Sequence, residues 1–487
     1  MTPPQSKLCT KAPVLLAGLL ALFASAAGAA DLLEILRQAQ VSDATYAAAR
    51  ASWQAAQEKI PQGLAGLLPN ASITGNTTYN DRQLDFRNGV NAPGRFNSNA
   101  ITVQVAQPLY RLQNKIQYDQ AKVQVAQADA QLTAALQDLI LRVAQAYFDI
   151  LLAQDNVELA RAQKIAIGEQ LAQAKRNFEV GTATITDTHE AQARYDLVTA
   201  QEFAAINELE IRKRALQQII GTEAPPVAPL GPKFQLVPPE PGGMEDWVRA
   251  ALDNSLQVQI QRAAEEFAVK EVERNRAAHH PTLDVVGSYT DAGTGSGNQG
   301  GVGFDTKQAA IGLQFAIPLY QGGGVESRVR EALSNLERAR QDLESARRNA
   351  ALNTRQAYLG VTSGIAQVKA LESAVVSSQS QLDSTRLGQE VGVRTGVDVL
   401  NAQQQLFTTR RDLLGARYQV LLNGLRLKAT TGALDETALT QVNALLVDPK
   451  VAEEAAAREE VEKERAEQEQ RKRQQELAPP ARRGGRR

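Results

Sequence analysis

The chain contains the same unit twice, and the two copies are separated by about 210 residues. Gln-Pro-Leu-Tyr at residues 107–110 returns as Ile-Pro-Leu-Tyr at residues 317–320. Val-Gly-Thr at residues 180–182 returns as Val-Gly-Val at residues 391–393. Because the landmarks keep one order and one separation, they indicate a tandem duplication. The separation is too long for a solenoid repeat, so two copies of one structural half are predicted.

Residues 1–30 have the features of a secretory signal peptide. Lys7 and Lys11 form a positively charged start, a short apolar run follows, and the small residues 27–29 supply a cleavage site. The apolar run is too short for a permanent membrane anchor, which is the alternative interpretation. Cleavage after this segment would remove Cys9, the one cysteine, so the exported chain is expected to have no thiol chemistry.

The composition of the exported part favours long helices and strands over a thick globular core. Aromatic residues make up only 5% of the chain, while Ala, Gln, Leu, Arg and Glu fill long tracts. No stretch of about 20 apolar residues follows residue 30, so a membrane-entering chain must use β-strands. The formal net charge of −1 does not favour a nucleic-acid partner.

Catalytic, metal and cofactor sites are not expected from the residue inventory. With 3 His residues and no cysteine after residue 30, no Ser/His/Asp or Cys/His grouping can be assembled. His279 and His280 lack a third ligand at metal-binding spacing and are interpreted as polar residues at a helix-to-strand junction. Residues 295–300 match a dinucleotide fingerprint, but a strand is predicted after them instead of the required helix. They are interpreted as a loop, and no enzyme activity or cofactor is predicted.

Each half contains a pair of strands in which apolar residues alternate with small or polar ones. Strands are predicted over residues 71–79 and up to Pro108, around a loop of about residues 80–97, and again over residues 283–290 and 308–317. Such strands are typical of an outer-membrane barrel wall, and a soluble β-sandwich edge is the alternative. The residues predicted on the apolar face include Ile73, Tyr79, Ile101, Val103, Val105, Leu283, Val285, Tyr289, Ile311, Leu313 and Phe315. Four strands cannot close a membrane barrel, so other copies of the chain must contribute strands.

A long helical hairpin follows each strand pair. Apolar residues at three- and four-residue steps predict a helix from about Tyr110 to Phe178, roughly 100 Å long at about 1.5 Å per residue. A second helix is predicted over residues 187–220, and the second half repeats both over residues 325–388 and 397–430. A filament or adaptor coiled coil is the alternative for the helices alone, but it leaves the strand pair before each hairpin unexplained.

These patterns divide the chain into five segments. They are the signal peptide (1–30), the first structural repeat (31–222), a Pro- and Gly-rich linker (223–243), the second repeat (244–445) and a charged tail (446–487). The first repeat is predicted to begin with one amphipathic helix over residues 32–59. The mixed charges of the tail predict a disordered or frayed-helical segment.

The turn and strand-end sequences resemble those of the TolC family of outer-membrane channel proteins. The resemblance rests on residues 178–187 and 391–400 and on the two Pro-Leu-Tyr strand ends, and it covers about residues 31–445. Residues 139–148 and 190–196 are similar to the subgroup that serves type I secretion systems. The implied fold is a mixed α/β membrane protein. It is a trimeric 12-stranded β-barrel with 4 strands per chain, continued by a long α-helical coiled-coil periplasmic barrel.

The function that the resemblance implies is a passive exit duct in the outer membrane of a Gram-negative bacterium, with a large periplasmic portion. The expected partners are two further copies of the chain, outer-membrane lipid, a periplasmic adaptor protein and an inner-membrane pump of the ABC or RND type. The duct would serve multidrug efflux, type I protein secretion or both. A soluble periplasmic coiled-coil adaptor is the alternative, but the lipoyl-like and small-barrel segments of such a protein are not evident.

The resemblance also implies roles for residues at the two turns. In the family, an Asp and a Thr after the first turn bond to a Tyr and an Arg around the second and close the tunnel entrance. The resulting gate residues are Thr186, Asp187, Gln389 (at the Tyr position), Arg394, and Asp398 and Asn401 at two constricting Asp positions. The expected adaptor-docking tips are Val180, Gly181, Thr182, Val391, Gly392 and Val393. Ordinary solvated helix starts, which also favour Asp, are the alternative for Asp187 and Asp398.

Overall fold

The computed structural model describes residues 30–85, 91–231, 235–296 and 302–447. The predicted signal peptide up to residue 29, most of the fingerprint-like run and the predicted tail beyond Val447 lie outside these ranges. Within the described ranges, no helix combines the length and the apolar character needed to cross a membrane.

The two strand pairs form one antiparallel sheet. The strands are β1 (Asn70–Asp85), β2 (Asn91–Tyr110), β3 (Thr282–Thr294) and β4 (Phe304–Ala316), and they lie in the order β1-β2-β3-β4. β2 from the first half pairs with β3 from the second, from Ser98 opposite Thr294 to Tyr110 opposite Leu283. Backbone hydrogen bonds therefore join the two halves, and β1 and β4 are the two edges of the sheet within one chain.

The strands are longer than predicted, and the predicted end of pairing at Pro108 is wrong. β1 and β2 pair as far as Asp85 opposite Asn91, so much of the predicted loop over residues 80–97 is strand. Pro108 lies opposite Asp284, and the register shifts before pairing resumes at Tyr110. Such a bulge accommodates proline, because the local disruption of the ladder removes the need for its missing N–H.

One face of the sheet is apolar and exposed. Ile73, Val103 and Tyr289 lie opposite one another on adjacent strands. On β4, the side chains of Ile311 and Leu313 are 83% and 70% exposed. The alternation predicted from the sequence is confirmed, and this face has the character of a lipid-facing barrel wall.

The opposite face of the sheet is polar. Thr74, Thr102, Thr290 and Gln308 form a continuous row across the four strands. The hydroxyls of Thr102 and Thr290 lie 3.1 Å apart and share a hydrogen bond across the boundary between the two halves. A sheet with one apolar and one polar face can separate lipid from water when its edges are closed.

The helices form the two predicted hairpins and a group of shorter helices around them. They are α1 (Leu32–Ser42), α2 (Ala44–Gln57), α3 (Lys59–Ala65), α4 (Leu112–Glu179), α5 (Ile185–Ile220), α6 (Met244–Asn254), α7 (Leu256–Arg276), α8 (Gly324–Glu390), α9 (Gly396–Thr430) and α10 (Glu436–Asn443). α4 packs along α5, and α8 packs along α9. The long helices contain 68 and 67 residues, so the prediction of two long hairpins is confirmed.

The single helix predicted over residues 32–59 is wrong, because Asp43 divides it. The Asp43 carboxylate accepts a hydrogen bond from the Tyr46 backbone N–H at 2.7 Å and so begins α2. The same carboxylate accepts two hydrogen bonds from Arg142 of α4, at 2.9 and 3.1 Å. These hydrogen bonds from Arg142 lower the pKa of Asp43. A tertiary ion pair thus fixes the break between α1 and α2.

The largest apolar core lies where α1, α5, α9 and α10 pack around the middle of α4. Its fully buried members include Leu32, Ile35, Leu36, Leu139, Ile140, Tyr147, Phe148, Leu216, Ile220 and Leu425. The Tyr147 hydroxyl donates to the Ala228 carbonyl at 2.8 Å. A bridge between Leu230 and Leu446 attaches the linker to the residue that follows the second repeat, the first of the predicted tail. The predicted linker is therefore packed across the helical body.

Asp155 connects α4 to α9 through Tyr418, which is itself a member of this core. The Tyr418 hydroxyl donates to Asp155 Oδ2 at 2.6 Å, and the Phe148 ring lies 5.8 Å from the Tyr418 ring. Burial raises the pKa of Asp155 to about 6, and the charge of Glu158 also raises this pKa. The hydrogen bond from Tyr418 lowers the pKa but does not offset the effect of burial. Because the folded chain disfavours the carboxylate, the contribution of Asp155 to stability falls as the pH rises through about 6.

Asp155→Asn should therefore stabilise the folded protein more at pH 8 than at pH 5. The gain in the free energy of unfolding should be about 1–2 kcal/mol larger at the higher pH. Denaturant unfolding followed by circular dichroism measures it. Tyr418→Phe is the companion variant: it removes the donor and should cost more stability at pH 8 than at pH 5. Equal changes at both pH values would contradict the assignment.

A charge on the apolar face of the sheet should block membrane insertion, whereas a charge on the polar face should not. Val103→Arg and Leu313→Arg place a cation on the exposed apolar face, at a cost of about 2–4 kcal/mol at the bilayer midplane. Gln104→Arg and Gln308→Arg are matched controls on the opposite face. The yield of folded protein in purified outer membranes is the readout. Normal yields of the two apolar-face variants would show that this face does not contact lipid.

Candidate functional site

The two hairpin turns have the same backbone geometry. Gly181 and Gly392 have φ values of 78° and 80°, in the left-handed region that glycine adopts without steric cost. After the first glycine, the Thr182 N–H donates to the Asn177 carbonyl at 2.8 Å. After the second, the Val393 N–H donates to the Gly388 carbonyl at 2.8 Å. The duplication seen in the sequence is therefore preserved at the level of individual hydrogen bonds.

Each turn is followed by a capping box that begins the returning helix. Thr184 and Asp187 exchange hydrogen bonds at the start of α5, and Asp187 Oδ2 accepts from the Thr184 backbone and hydroxyl at 3.0 and 2.8 Å. Thr395 and Asp398 form the same box at the start of α9, at 2.9 Å for both bonds. A box of this kind satisfies the first backbone donors of a helix. The two Asp residues thus have a local structural role in addition to any role at the entrance.

The Asp398 carboxylate is held in its charged form. Hydrogen bonds from the Thr395 backbone and hydroxyl lower the pKa of Asp398, and the positive charge of Arg394 lowers it further. At neutral pH the second turn therefore presents the negative charge of Asp398 four residues after the guanidinium of Arg394.

Two clefts bring most of the predicted gate residues together at this end of the molecule. Asp187, Gln389 and Arg394 line a cleft of about 280 Å³ between the two turns. Arg394, Asp398 and Asn401 line a second cleft of about 520 Å³ beside α8 and α9. Arg394 is shared by both, whereas Thr186 lines neither. The other five predicted gate residues thus line one or both of these clefts.

A bond between Asp187 and Arg394 is not formed within one chain. Across the described ranges, no ion pair joins these two residues, and the bonds of the Asp187 carboxylate are those of its capping box. Their bond remains a prediction, and it would have to join neighbouring chains or form after a rearrangement of the turns.

The predicted docking tips expose apolar side chains. Val180, Val391 and Val393 are 73%, 68% and 75% exposed. Thr182 donates its hydroxyl to the Asn177 carbonyl at 3.1 Å and lies at the exposed end of the first turn. These exposed valines give each tip a small apolar surface.

Arg194 makes a contact near the entrance that the sequence did not predict. From α5 it reaches α9, where Nη1 donates to Gln404 Oε1 at 2.6 Å and Nη2 donates to Asn401 Oδ1 at 3.0 Å. Of these three residues, the resemblance assigned a gate role to Asn401 alone. No periodicity pairs residue 194 with residues on another helix, so only the packing of α5 against α9 reveals this contact.

The histidines show no metal-binding arrangement in the structure. His279 ends the short 3-10 turn (Ala277–His279) that follows α7, with Nε2 3.6 Å from Glu326 of α8, and His280 leads into β3, as expected for a helix-to-strand junction. Among the described residues, no group of three or more His, Cys, Asp and Glu side chains is arranged to hold a metal ion.

Comparisons with known proteins agree with this architecture. The sequence profile of the family described as "Outer membrane efflux protein" matches residues 35–222 and 247–433. The chain is 34% identical to outer membrane protein TolC of Vibrio cholerae over 443 residues, which covers 91% of this chain and 99% of that protein. It is 32% identical to the alkaline protease secretion protein AprF of Pseudomonas aeruginosa, with 86% of this chain and 88% of that protein covered.

A solved structure shows the same fold. The outer membrane protein VceC from Vibrio cholerae superimposes with a TM-score of 0.72 and covers 83% of this chain and 97% of that one, at 18% sequence identity. The similarity covers most of both chains, so the fold class expected from the sequence is confirmed.

Proposed function

The chain belongs to the outer membrane efflux protein family, and from this membership we propose that it is the outer-membrane exit duct of a tripartite export system. The proposal rests on one observation: the same chain contains a four-stranded sheet that is apolar on one face and helical hairpins that are roughly 100 Å long. The strands would conduct through the outer membrane, and the helices would cross the periplasm. The soluble adaptor alternative has no support, because the family match includes both halves of the chain.

The need for more than one chain in the duct follows from the sheet edges, and the number three comes from the family resemblance. β1 and β4 each have one side that is unpaired within the chain, and unpaired backbone groups are costly in lipid. Three chains would contribute 12 strands, enough to close a barrel with a lumen. A homotrimer also places six helical hairpins, two from each chain, around one axis.

The partners are inferred from the tips and from the relatives. We infer that a periplasmic adaptor protein docks on Val180–Thr182 and Val391–Val393, and that the adaptor connects the duct to an ABC or RND pump. The relative AprF is described as a protease secretion protein, which supports a protein cargo for this chain. Multidrug efflux is the second candidate cargo, since the matching family is described as an efflux family.

The resting entrance is proposed to be closed by the gate residues of neighbouring chains. Asp187 and Thr186 of one chain would face Arg394 of the next. Gln389 would occupy the position of the Tyr that forms a link in the family. Asp398 would form one ring of negative charge at the constriction, while Asn401 contributes a neutral one. The lowered pKa of Asp398, caused by its bonds to Thr395 and by Arg394, supports a charged ring at neutral pH.

The proposed function is tested by purification and reconstitution. The protein should be extracted from outer membranes as a heat-sensitive trimer, and it should form channels in planar bilayers. Deletion of the gene should abolish export of the cargo that its pump carries, and the gene in trans should restore it. A monomeric protein without channel activity would refute the proposal.

Arg394→Ser should raise the conductance of the resting channel. The variant removes the guanidinium proposed to bond across the entrance, and each lost charge-assisted bond is worth about 1.5–3 kcal/mol. Single-channel recording in planar bilayers measures the change. Arg386→Ser, on α8 five residues before Val391 of the turn, is the matched control and should conduct like the parent. Unchanged conductance of the Arg394 variant would remove this residue from the gate.

Asp398→Ala should lower the preference for cations and the block by multivalent cations. The variant removes the proposed charge ring but also the capping box with Thr395. Asp398→Asn is the second variant, because its amide oxygen can still accept from Thr395 while the charge is lost. Reversal potentials in a salt gradient give the preference. If Asp398→Asn keeps the parent's cation preference, the charge of Asp398 does not face the ion path.

Charges at the exposed valines should abolish export without affecting assembly. Val180→Glu and Val393→Glu break the small apolar surface at each tip, and neither side chain is buried in the folded chain. Bulky residues at Gly181 or Gly392 should also block docking, but they add backbone strain at positive φ. Export is measured together with trimer yield on native gels. Normal export by the valine double variant would show that the adaptor binds elsewhere.

A further inference from the structure

The two hairpins of one chain contact each other sparsely near the entrance. Leu400 of α9 packs into a small apolar cluster with Ile167, Leu171, Ala191 and Val198 of the first hairpin. Beyond this cluster, toward the turns, a cleft of about 280 Å³ opens between the hairpins. The position of one turn relative to the other therefore depends on the few contacts at the level of Leu400.

Arg194 supplies the polar contact at that level. It directly precedes Tyr195, which packs against the same apolar cluster. Its guanidinium bonds to Asn401 and Gln404, which are three residues apart and so lie on one face of α9. A planar guanidinium fits two such acceptors at once, which gives the contact a defined geometry.

The charge of Arg194 is not neutralised by an acidic partner. Both acceptors are neutral amides, and in the described part of the chain no carboxylate lies within ion-pair distance of Arg194. In contrast, Arg212 on the same helix bonds to Asp149 and Glu208 and stays within the first hairpin. The contact of Arg194 is thus directed to the second hairpin.

We propose that Arg194 is a positioning residue that fastens the two hairpins of each chain to one another and keeps the resting entrance narrow. This inference rests on the proposed channel function, but it adds a link inside each chain to the gate between chains. When the contact breaks, α5 and α9 can separate beyond the Leu400 cluster, and the two turns move apart. Opening would then require each chain to release its own hairpins.

Arg194→Met tests the inference, since methionine keeps the apolar stem and removes both hydrogen bonds. The ratio of open to resting channels in planar bilayers should rise on the order of ten-fold. Arg194→Lys keeps the charge but cannot bond both amides in the planar fork, so it should also conduct more than the parent. Arg212→Met is the matched control and should leave the conductance unchanged. If Arg194→Lys behaves as the parent while Arg194→Met does not, the charge and not the contact matters, and the inference is overturned.

A second measurement separates this inference from the proposed gate. Cysteines introduced at Val180 and Val391, both exposed, carry spin labels in trimers diluted with unlabelled chains. Arg194→Met should lengthen the distance between the two turns of one chain, and Gln404→Ala should reproduce part of the shift without adding to it in the double variant. An unchanged distance refutes the inference even if Arg394→Ser raises the conductance. A lengthened distance with no effect of Arg394→Ser supports the inference and refutes the gate between chains.

Discussion

The architecture depends on the requirement that every backbone N–H and C=O group in the hydrocarbon of a membrane be paired. The chain satisfies this requirement internally for β2 and β3, where the two halves meet, and leaves β1 and β4 to pair with other copies. Because the closed ring of strands must be made from identical chains, the helical hairpins that follow each strand pair are also arranged in a ring. The same backbone constraint that closes the barrel therefore creates the axial tunnel.

The helical part is held together by small clusters instead of one continuous core. The largest cluster surrounds Tyr147 and Phe148, and separate smaller clusters lie along the hairpins. Single polar contacts also join the hairpins, among them Asp155 with Tyr418 and Arg194 with Asn401. The low aromatic content follows from this arrangement, since long helices that pack side by side need small and medium side chains at their contacts. Local stability is therefore expected to differ along the hairpins, since the large and small clusters bury different amounts of apolar surface.

The sequence predicted those features that depend on periodicity and failed where a tertiary contact decided the outcome. The long helices and the two faces of the sheet follow from residue spacing alone, because amphipathic patterns report which face is covered. The division of the first helix at Asp43 was missed, since it depends on Arg142, about 100 residues away in the chain. Pro108 was interpreted by its local effect, yet the adjacent strand β3 accommodates it through a bulge. The gate residues could be located from the resemblance, but the bond from Arg194 to α9 has no signature in either helix.

The duplicated turns share a scaffold but differ in chemistry. Both have a glycine at positive φ and a Thr-Asp capping box. Arg394, however, occupies the position that Ala183 holds in the first turn, as their matching hydrogen bonds to residues 388 and 177 show. In a ring of identical chains, successive turns therefore alternate between one that carries a guanidinium and one that carries a methyl group. The entrance backbone therefore repeats about twice per chain around the axis, so the order of its rotational symmetry is about twice that of the assembly. The charges repeat once per chain and keep the symmetry of the assembly. A partner that recognises only the shape of the backbone would find twice as many equivalent binding positions as a partner that recognises the charge.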